Sequence, residues 1–160
     1  MSDLFDLTGK VAIKTGSSLG IGRATAEAMA VHGAKVVISS RKADKCEIVA
    51  EGINQNGGEA MVIPCHCSHK DQLQHLVDKT LDAWGRIDVL VSNAAVNPFY
   101  GSLSEIPDDA YDKIMDTNVK SNVWLTSMVI PQMIKLGGGS IIIVSSVAAL
   151  IGTAKLGTYG

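Results

Sequence analysis

The chain has 160 residues, 46% of them hydrophobic, with a formal net charge of −2 and a pI near 6.0. That length and composition support one buried core and predict a single domain over residues 1–160. The slightly acidic balance carries no electrostatic footprint for nucleic acid, and no apolar run approaches the roughly 20 residues that span a bilayer.

The N-terminal run Met1-Ser2-Asp3-Leu4-Phe5-Asp6 is acidic and lacks the basic start and apolar segment of a signal peptide. The apolar run Val11-Ala12-Ile13 has the length of a strand. The glycine-rich stretch Thr15-Gly16-Ser17-Ser18-Leu19-Gly20-Ile21-Gly22 follows, and strong helix formers run from Arg23 to Ala30. Gly33 stops that helix, and Lys35-Val36-Val37-Ile38-Ser39 reads as a second buried strand. Ala43 to Gln55 is helical, with Ile48, Val49 and Ile53 as its apolar stripe, and Asn56-Gly57-Gly58 ends it.

Ala60-Met61-Val62-Ile63 is a third strand, closed by Pro64. Ser68 is placed to cap the next helix, on which Leu73, Leu76, Val77, Leu81 and Trp84 recur every three or four residues up to Gly85. Asp88-Val89-Leu90-Val91 is a fourth strand, and a loop marked by Pro98, Gly101 and Pro107 follows it. Asp108 to about Leu136 is a long helical stretch that Pro131 should bend. After Gly137-Gly138-Gly139, Ile141-Ile142-Ile143-Val144 is a fifth strand, apolar as a strand buried on both faces should be. Five strands alternating with four helices specify an α/β fold, a doubly wound parallel sheet with right-handed crossovers. Repeats, linkers and low-complexity tracts are absent from the sequence.

A strand, a glycine turn and a helix in that order aim free backbone N–H groups at one point, a receptor for pyrophosphate. Gly16 permits the tight turn, Gly20 lets phosphates approach the backbone, and Gly22 lets the helix pack closely. The spacing T-G-x-x-x-G-I-G resembles the cofactor loop of the short-chain dehydrogenases/reductases. Ser92-Asn93-Ala94-Ala95, where the fourth strand ends, is similar to that family's N-N-A-G motif, with Ser92 and Ala95 departing from it. The run Val91 to Pro98 looks most like the NADP-dependent carbonyl and retinal reductase branch.

The resemblance covers the chain from about Leu7 to Gly160 and implies a Rossmann-type sheet of order 3-2-1-4-5 that stops before the family's last strands. It also implies a catalytic group of Asn118, Ser146 and Tyr159. The family's serine precedes its tyrosine by thirteen positions, which selects Ser146 over Ser145. Tyr159 would donate the proton to a carbonyl receiving hydride, Ser146 would hydrogen-bond its oxygen, and Asn118 would hold a water in the relay. The resemblance places the cofactor against Gly16, Ser18, Leu19, Gly20, Ile21, Gly22, Ser40, Arg41, Lys42, His66, Cys67, Asn93, Ala94 and Tyr159.

Ser39-Ser40-Arg41-Lys42 at the end of the second strand offers hydroxyls and two cations where NAD enzymes carry an acid, so NADP(H) is expected over NAD(H). Leu19 stands where the family often has a basic residue, which removes a second phosphate contact.

The family's pattern continues Y-x-x-x-K, and the sequence stops at Gly160, three residues short of that lysine. A phenol with a pKa near 10 needs such a cation to work at neutral pH. The expected function is an NADP(H)-dependent oxidoreductase that interconverts a ketone or aldehyde with its alcohol, and the chain is expected to be a fragment of it that is inactive alone. The alternatives are a non-catalytic nucleotide-binding module, a subunit completed by a partner, or a 3-oxoacyl-thioester reductase once the chain is completed. The expected partner is a small carbonyl or alcohol substrate, with no nucleic acid, no membrane, and a homo-oligomer for the complete chain. The cytoplasm is the expected compartment, with the peroxisome as the alternative.

Cys65-His66-Cys67-Ser68-His69 invites a metal reading, but an extended segment turns His66 away from the two cysteines and no second cysteine pair exists, so no metal is assigned. The odd cysteine count, Cys46, Cys65 and Cys67, predicts free thiols in a reducing compartment. Ser146 lacks the G-x-S-x-G elbow of a hydrolase. His32, His69 and His75 read as surface residues, and Trp84 and Trp124 as core anchors. Lys14 interrupts the first strand: either its stem reaches a polar edge, or it destabilises the core.

Overall fold

All five residues of the first strand, β1 (Val11–Thr15), are buried in a computed structural model of the chain, which describes residues 4–160. The first three residues of the acidic N-terminal run lie outside the described residues. β1 is the centre of a five-stranded, all-parallel sheet with β2 (Lys35–Ser39), β3 (Glu59–Val62), β4 (Val89–Ser92) and β5 (Ser140–Ile143), in the order β3-β2-β1-β4-β5. The expected order 3-2-1-4-5 is thus the observed one. Five helices connect the strands: α1 (Gly20–Val31), α2 (Ala43–Gln55), α3 (Lys70–Trp84), α4 (Asp108–Ile114) and α5 (Ser121–Lys135).

The alternation of side chains along each strand divides the core between the two faces. Ile13, Val37 and Leu90 point to one side, against Leu73, Leu76, Leu125 and Val129 of α3 and α5. Val36 and Ile38 point to the other, against Ala26 and Ala30 of α1 and Val49 and Ile53 of α2. Just before β4, Asp88 is buried and accepts from the Val11 N–H at 2.9 Å and from Arg86 at 2.6 and 2.8 Å. Burial raises the pKa of that carboxyl, but the Arg86 and Val11 hydrogen bonds and the charges of Arg86 and Lys10 outweigh it and leave the pKa below the ordinary range.

Several local expectations are corrected. β5 is the edge strand that the order 3-2-1-4-5 implies, but Ile142 and Ile143 are 48% and 54% exposed rather than covered on both faces among the described residues. Its apolar composition alone could not say how far its two faces are covered. Ser68 does not cap α3, whose N-cap is His69; its hydroxyl instead meets that of Thr117 at 2.8 Å. The long helical stretch continues through Pro131 and changes winding earlier, over Met115–Lys120, which is π-helical between α4 and α5. Trp84 and Trp124 sit at the rim, partly buried: Trp84 Nε1 donates to Glu59 at 2.8 Å, and Lys70 and Lys120 lie over the Trp124 ring. His32, His69 and His75 are exposed as expected.

The Lys14 amine does not reach a polar edge. Its side chain is 0% exposed, and its Nζ has no hydrogen-bond partner among the described residues. Burial lowers its pKa to about 8.

Candidate functional site

The chain turns to opposite sides of β1 as it makes β2 and then β4, so the C-terminal ends of these strands enclose a crevice. In an open α/β sheet, ligands bind at that switch point. Here a cleft of about 280 Å³ opens there. Each strand end contributes to it: Gly16, Ser18 and Leu19 after β1, Ser40, Arg41 and Lys42 after β2, Cys65, His66 and Cys67 after β3, and Ala94, Ala95 and Val96 after β4. Lys113 of α4 and Thr117 of the π-helical turn close one side.

The glycine loop is held by its hydroxyl neighbours. Ser17, fully buried, donates from Oγ to the Lys14 carbonyl at 2.8 Å and accepts from the Ser39 N–H at 2.7 Å. Thr15 Oγ1 accepts from the N–H groups of Asn93 and Ala94 at 3.0 and 3.1 Å. Asn93 Nδ2 donates back to the carbonyls of Thr15 and Gly16, both at 3.2 Å. Asn93 therefore acts on the loop, and its amide is committed there.

Gly16 has φ +63°, and a Cβ added to it would lie 2.9 Å from Asn93 Nδ2. A Cβ on Gly22 would meet the Gly16 carbonyl oxygen, so α1 can start only this close to β1 with glycine there. Space above Gly20 is open. Leu19, the N-cap of α1, offers no side-chain acceptor, and the first turn contains no acidic residue. The starting amides of a twelve-residue helix are thus free to face an anion.

The charged groups lining the cleft are Arg41, Lys42 and Lys113, with no carboxylate among the lining residues. His66 is held toward its neutral form, chiefly by burial and then by the nearby His69, Arg41 and Lys113. It sits edge-on to His69, ring centroids 4.7 Å apart, and accepts from the Ser68 N–H at 3.3 Å.

Of the residues expected to hold the cofactor, Gly16, Ser18, Leu19, Ser40, Arg41, Lys42, His66, Cys67 and Ala94 line this cleft. Gly20, Ile21 and Gly22 form the first turn of α1 beside it, and Asn93 stands behind the loop. Tyr159 lies outside this cleft and lines a separate small pocket with Asn97, Gly101 and Leu103. Ser146, half-buried, accepts from the Ala148 N–H at 3.2 Å at the start of a short turn, while Ser145 is exposed. Among the described residues no hydrogen bond joins Tyr159 to Ser146 or to Asn118.

Asn118 is in the π-helical turn, where its side chain accepts from the Val96 N–H at 2.8 Å and donates to the Val96 carbonyl at 2.9 Å. Sequence reasoning missed Thr15, Ser17, Lys113 and Thr117. The first two carried a signal, hydroxyls interleaved with loop glycines. The helix residues carried none, because only the tertiary fold brings them to the cleft.

A parallel sheet of this order, with a glycine loop opening a helix at its switch point, defines a dinucleotide-binding fold. The chain belongs to the short-chain dehydrogenase family, whose model matches residues 10–160. It is 43% identical over 153 residues to dehydrogenase/reductase SDR family member 4 of Bos taurus, covering 96% of this chain and 55% of the relative. It is 40% identical over 152 residues to tropinone reductase-like 3 of Erythroxylum coca, covering 95% and 58%. The chain thus spans a little over half the length of these curated relatives.

A 7α-hydroxysteroid dehydrogenase solved with NADH and 7-oxo glycochenodeoxycholic acid superposes with a TM-score of 0.95 at 34% identity, over 99% of this chain and 62% of the other. A hydroxysteroid dehydrogenase from Escherichia coli gives 0.89 at 32% identity, over 97% and 63%.

Proposed function

We propose that the protein is an NADP(H)-dependent oxidoreductase that interconverts a ketone or aldehyde with its alcohol. The observation that carries this reading is the cationic, carboxylate-free cleft around Ser40, Arg41 and Lys42, beside the uncapped start of α1. A nicotinamide dinucleotide fits this donor set, and when bound it supplies the hydride carrier. The amides of Gly20, Ile21 and Gly22 receive its pyrophosphate. Ser40, Arg41 and Lys42 hold the 2′-phosphate, and His66, Cys67 and Ala94 form the wall beside the adenine.

In the same reading Tyr159 holds the proton for the carbonyl oxygen and Ser146 donates a hydrogen bond to that oxygen. In this reading Asn118, whose side chain is committed to Val96, holds a water in the relay. Residues 1–160 act as one dinucleotide-binding domain. The exposed apolar residues Val119, Val123, Ile130 and Ile134 on the α5 side support self-association into a homo-oligomer. The cytoplasm is the proposed compartment, with the peroxisome as the alternative.

A second reading, a nucleotide-binding module without turnover, is favoured by the position of Tyr159 outside the cleft lining. Fluorescence titration with NADPH and NADH tests what the readings share, and a carbonyl-reduction assay separates them. Tighter binding of NADPH with turnover supports the first reading, and tighter binding without turnover supports the second. Equal affinity for the two cofactors, or no binding, overturns the NADP(H) assignment.

A further inference from the structure

One hydroxyl of the cleft is surrounded by polar groups whose places are set by other elements. Ser40, half-buried at the end of β2, lines the cleft. Its backbone is held without help from its side chain, because its carbonyl accepts from the Cys65 N–H at 3.1 Å. Three groups meet its Oγ. The Lys42 N–H donates to it at 3.2 Å, the Cys46 sulfur lies 3.1 Å away, and the Lys42 carbonyl is 3.4 Å away. Cys46 does not line the cleft: it is fully buried one turn into α2, packed with Val36, Ile38 and Val49. Its own N–H donates to the same Lys42 carbonyl at 3.2 Å.

A hydroxyl has one proton to give and two lone pairs to fill. The Lys42 N–H fills one lone pair of Ser40 Oγ. The hydroxyl proton has an acceptor in the Lys42 carbonyl, so in the contact with sulfur the thiol is the donor and fills the second lone pair. Burial favours that role, since it raises the Cys46 pKa and keeps the thiol protonated. The Ser40 proton is then left on a long bond, 3.4 Å, to a carbonyl that the Cys46 N–H already serves. A phosphate oxygen in the cleft is the stronger acceptor and draws that proton to itself.

We propose that Cys46 is a positioning residue for the ribose end of the site: its thiol occupies the acceptor side of Ser40 Oγ and leaves the hydroxyl proton to a 2′-phosphate. The inference rests on the cofactor reading given above. Cys46 acts only through Ser40. Without the thiol, a lone pair of Ser40 is unfilled, the hydroxyl is a less polarised donor, and space opens behind it into which it turns from the cleft. Arg41 and Lys42 keep their charges, so the loss is partial and confined to the dinucleotide that carries the extra phosphate.

A double-mutant cycle tests this. The Kd values for NADPH and NADH are measured by fluorescence titration for the unsubstituted protein, Cys46→Ala, Ser40→Ala and the double variant. Ser40→Ala should lower the preference for NADPH over NADH roughly 10-fold or more, as loss of a hydrogen bond to a charged group does. Cys46→Ala should lower it about 3- to 10-fold, the range of a neutral hydrogen bond, and should lower it no further once Ser40 is alanine. Cys46→Val fills the space but has no proton to give, and it should reproduce the Cys46→Ala shift.

Additive losses in the double variant, an equal loss for both cofactors, or full NADPH preference in Cys46→Val would each mean that the cysteine only packs α2, and would overturn the proposal. If Arg41→Asp removes the NADPH preference while Cys46→Ala leaves it intact, the cofactor reading stands and this inference fails. If the unsubstituted protein binds the two cofactors equally, or binds neither, the cofactor reading fails and takes the inference with it.

Discussion

Thr15 and Asn93, 78 residues apart, hold each other in both directions: the threonine hydroxyl accepts the Asn93 N–H at 3.0 Å, and the Asn93 amide donates to the Thr15 carbonyl at 3.2 Å. This pair ties the end of β1 to the end of β4 and fixes the glycine loop between them. Thr15→Val keeps the shape but leaves the N–H groups of Asn93 and Ala94 without their acceptor. It should cost roughly 1 kcal/mol of stability, toward the low end of the penalty for stranded donors because these are only half-buried, read from urea unfolding. NADPH binding should weaken as well, because the loop loses its fixed geometry. Unchanged unfolding and unchanged titration together would show that the pair does not hold the loop.

The sheet was legible because its signals are local. Runs such as Lys35 to Ser39 are apolar enough to be buried, and Gly16, Gly20 and Gly22 mark one turn by spacing alone. The cleft residues after each strand were legible for the same reason, since strand ends are set by those runs. What could not be read depends on contacts between distant segments. Ser68 looks like a helix cap, but its hydroxyl is taken by Thr117, 49 residues on. The π-helical turn at Met115–Lys120 is associated with Asn118 bonding to Val96, a loop residue that no helical periodicity announces. For β5, composition reports that Ile141 to Ile143 are apolar but not how far the strand's faces are covered.

Arg41 lines the cleft and forms no salt bridge among the described residues, so its charge is free for a ligand. Arg41→Asp should weaken NADPH binding roughly 10- to 100-fold, the range of a hydrogen bond to a charged group, and affect NADH less. The comparison is made by titrating both cofactors against both proteins. An equal loss for the two would remove Arg41 from the ribose end of the site.

Ser145 and Ser146 are neighbours with different surroundings, one exposed and one half-buried with its hydroxyl turned to the Ala148 N–H. In a form of the protein that turns over, Ser146→Ala should lower kcat by at least ~10², as removal of an oxyanion donor does. Ser145→Ala should leave most of the rate. Steady-state kinetics of the two variants decide it, and the reverse order of effects would refute the thirteen-residue register to Tyr159.

Lys14 lies between Ile38 of β2 and Val91 of β4, in the middle of the sheet, with no hydrogen-bond partner for its amine among the described residues. Its folded pKa of about 8 lies below the ordinary lysine value of 10.5. Below pH 8 both folded and unfolded chains hold the proton, and the folded chain bears the full cost of a buried, unpaired charge. Between about 8 and 10.5 the unfolded chain still holds a proton that the folded chain has lost, so this residue makes stability rise with pH across that window. The span corresponds to about 3 kcal/mol. Lys14→Met keeps the apolar stem and removes the amine. It should raise stability at pH 7 by about that amount and flatten the rise above pH 8 relative to the unsubstituted chain. Urea unfolding of both proteins at pH 7 and pH 9 measures the two effects, and taking their difference cancels the cysteines and tyrosines that titrate in the same range. A Lys14→Met protein no more stable at pH 7, with the same rise on going to pH 9, would mean that the amine is already solvated or paired in the folded chain.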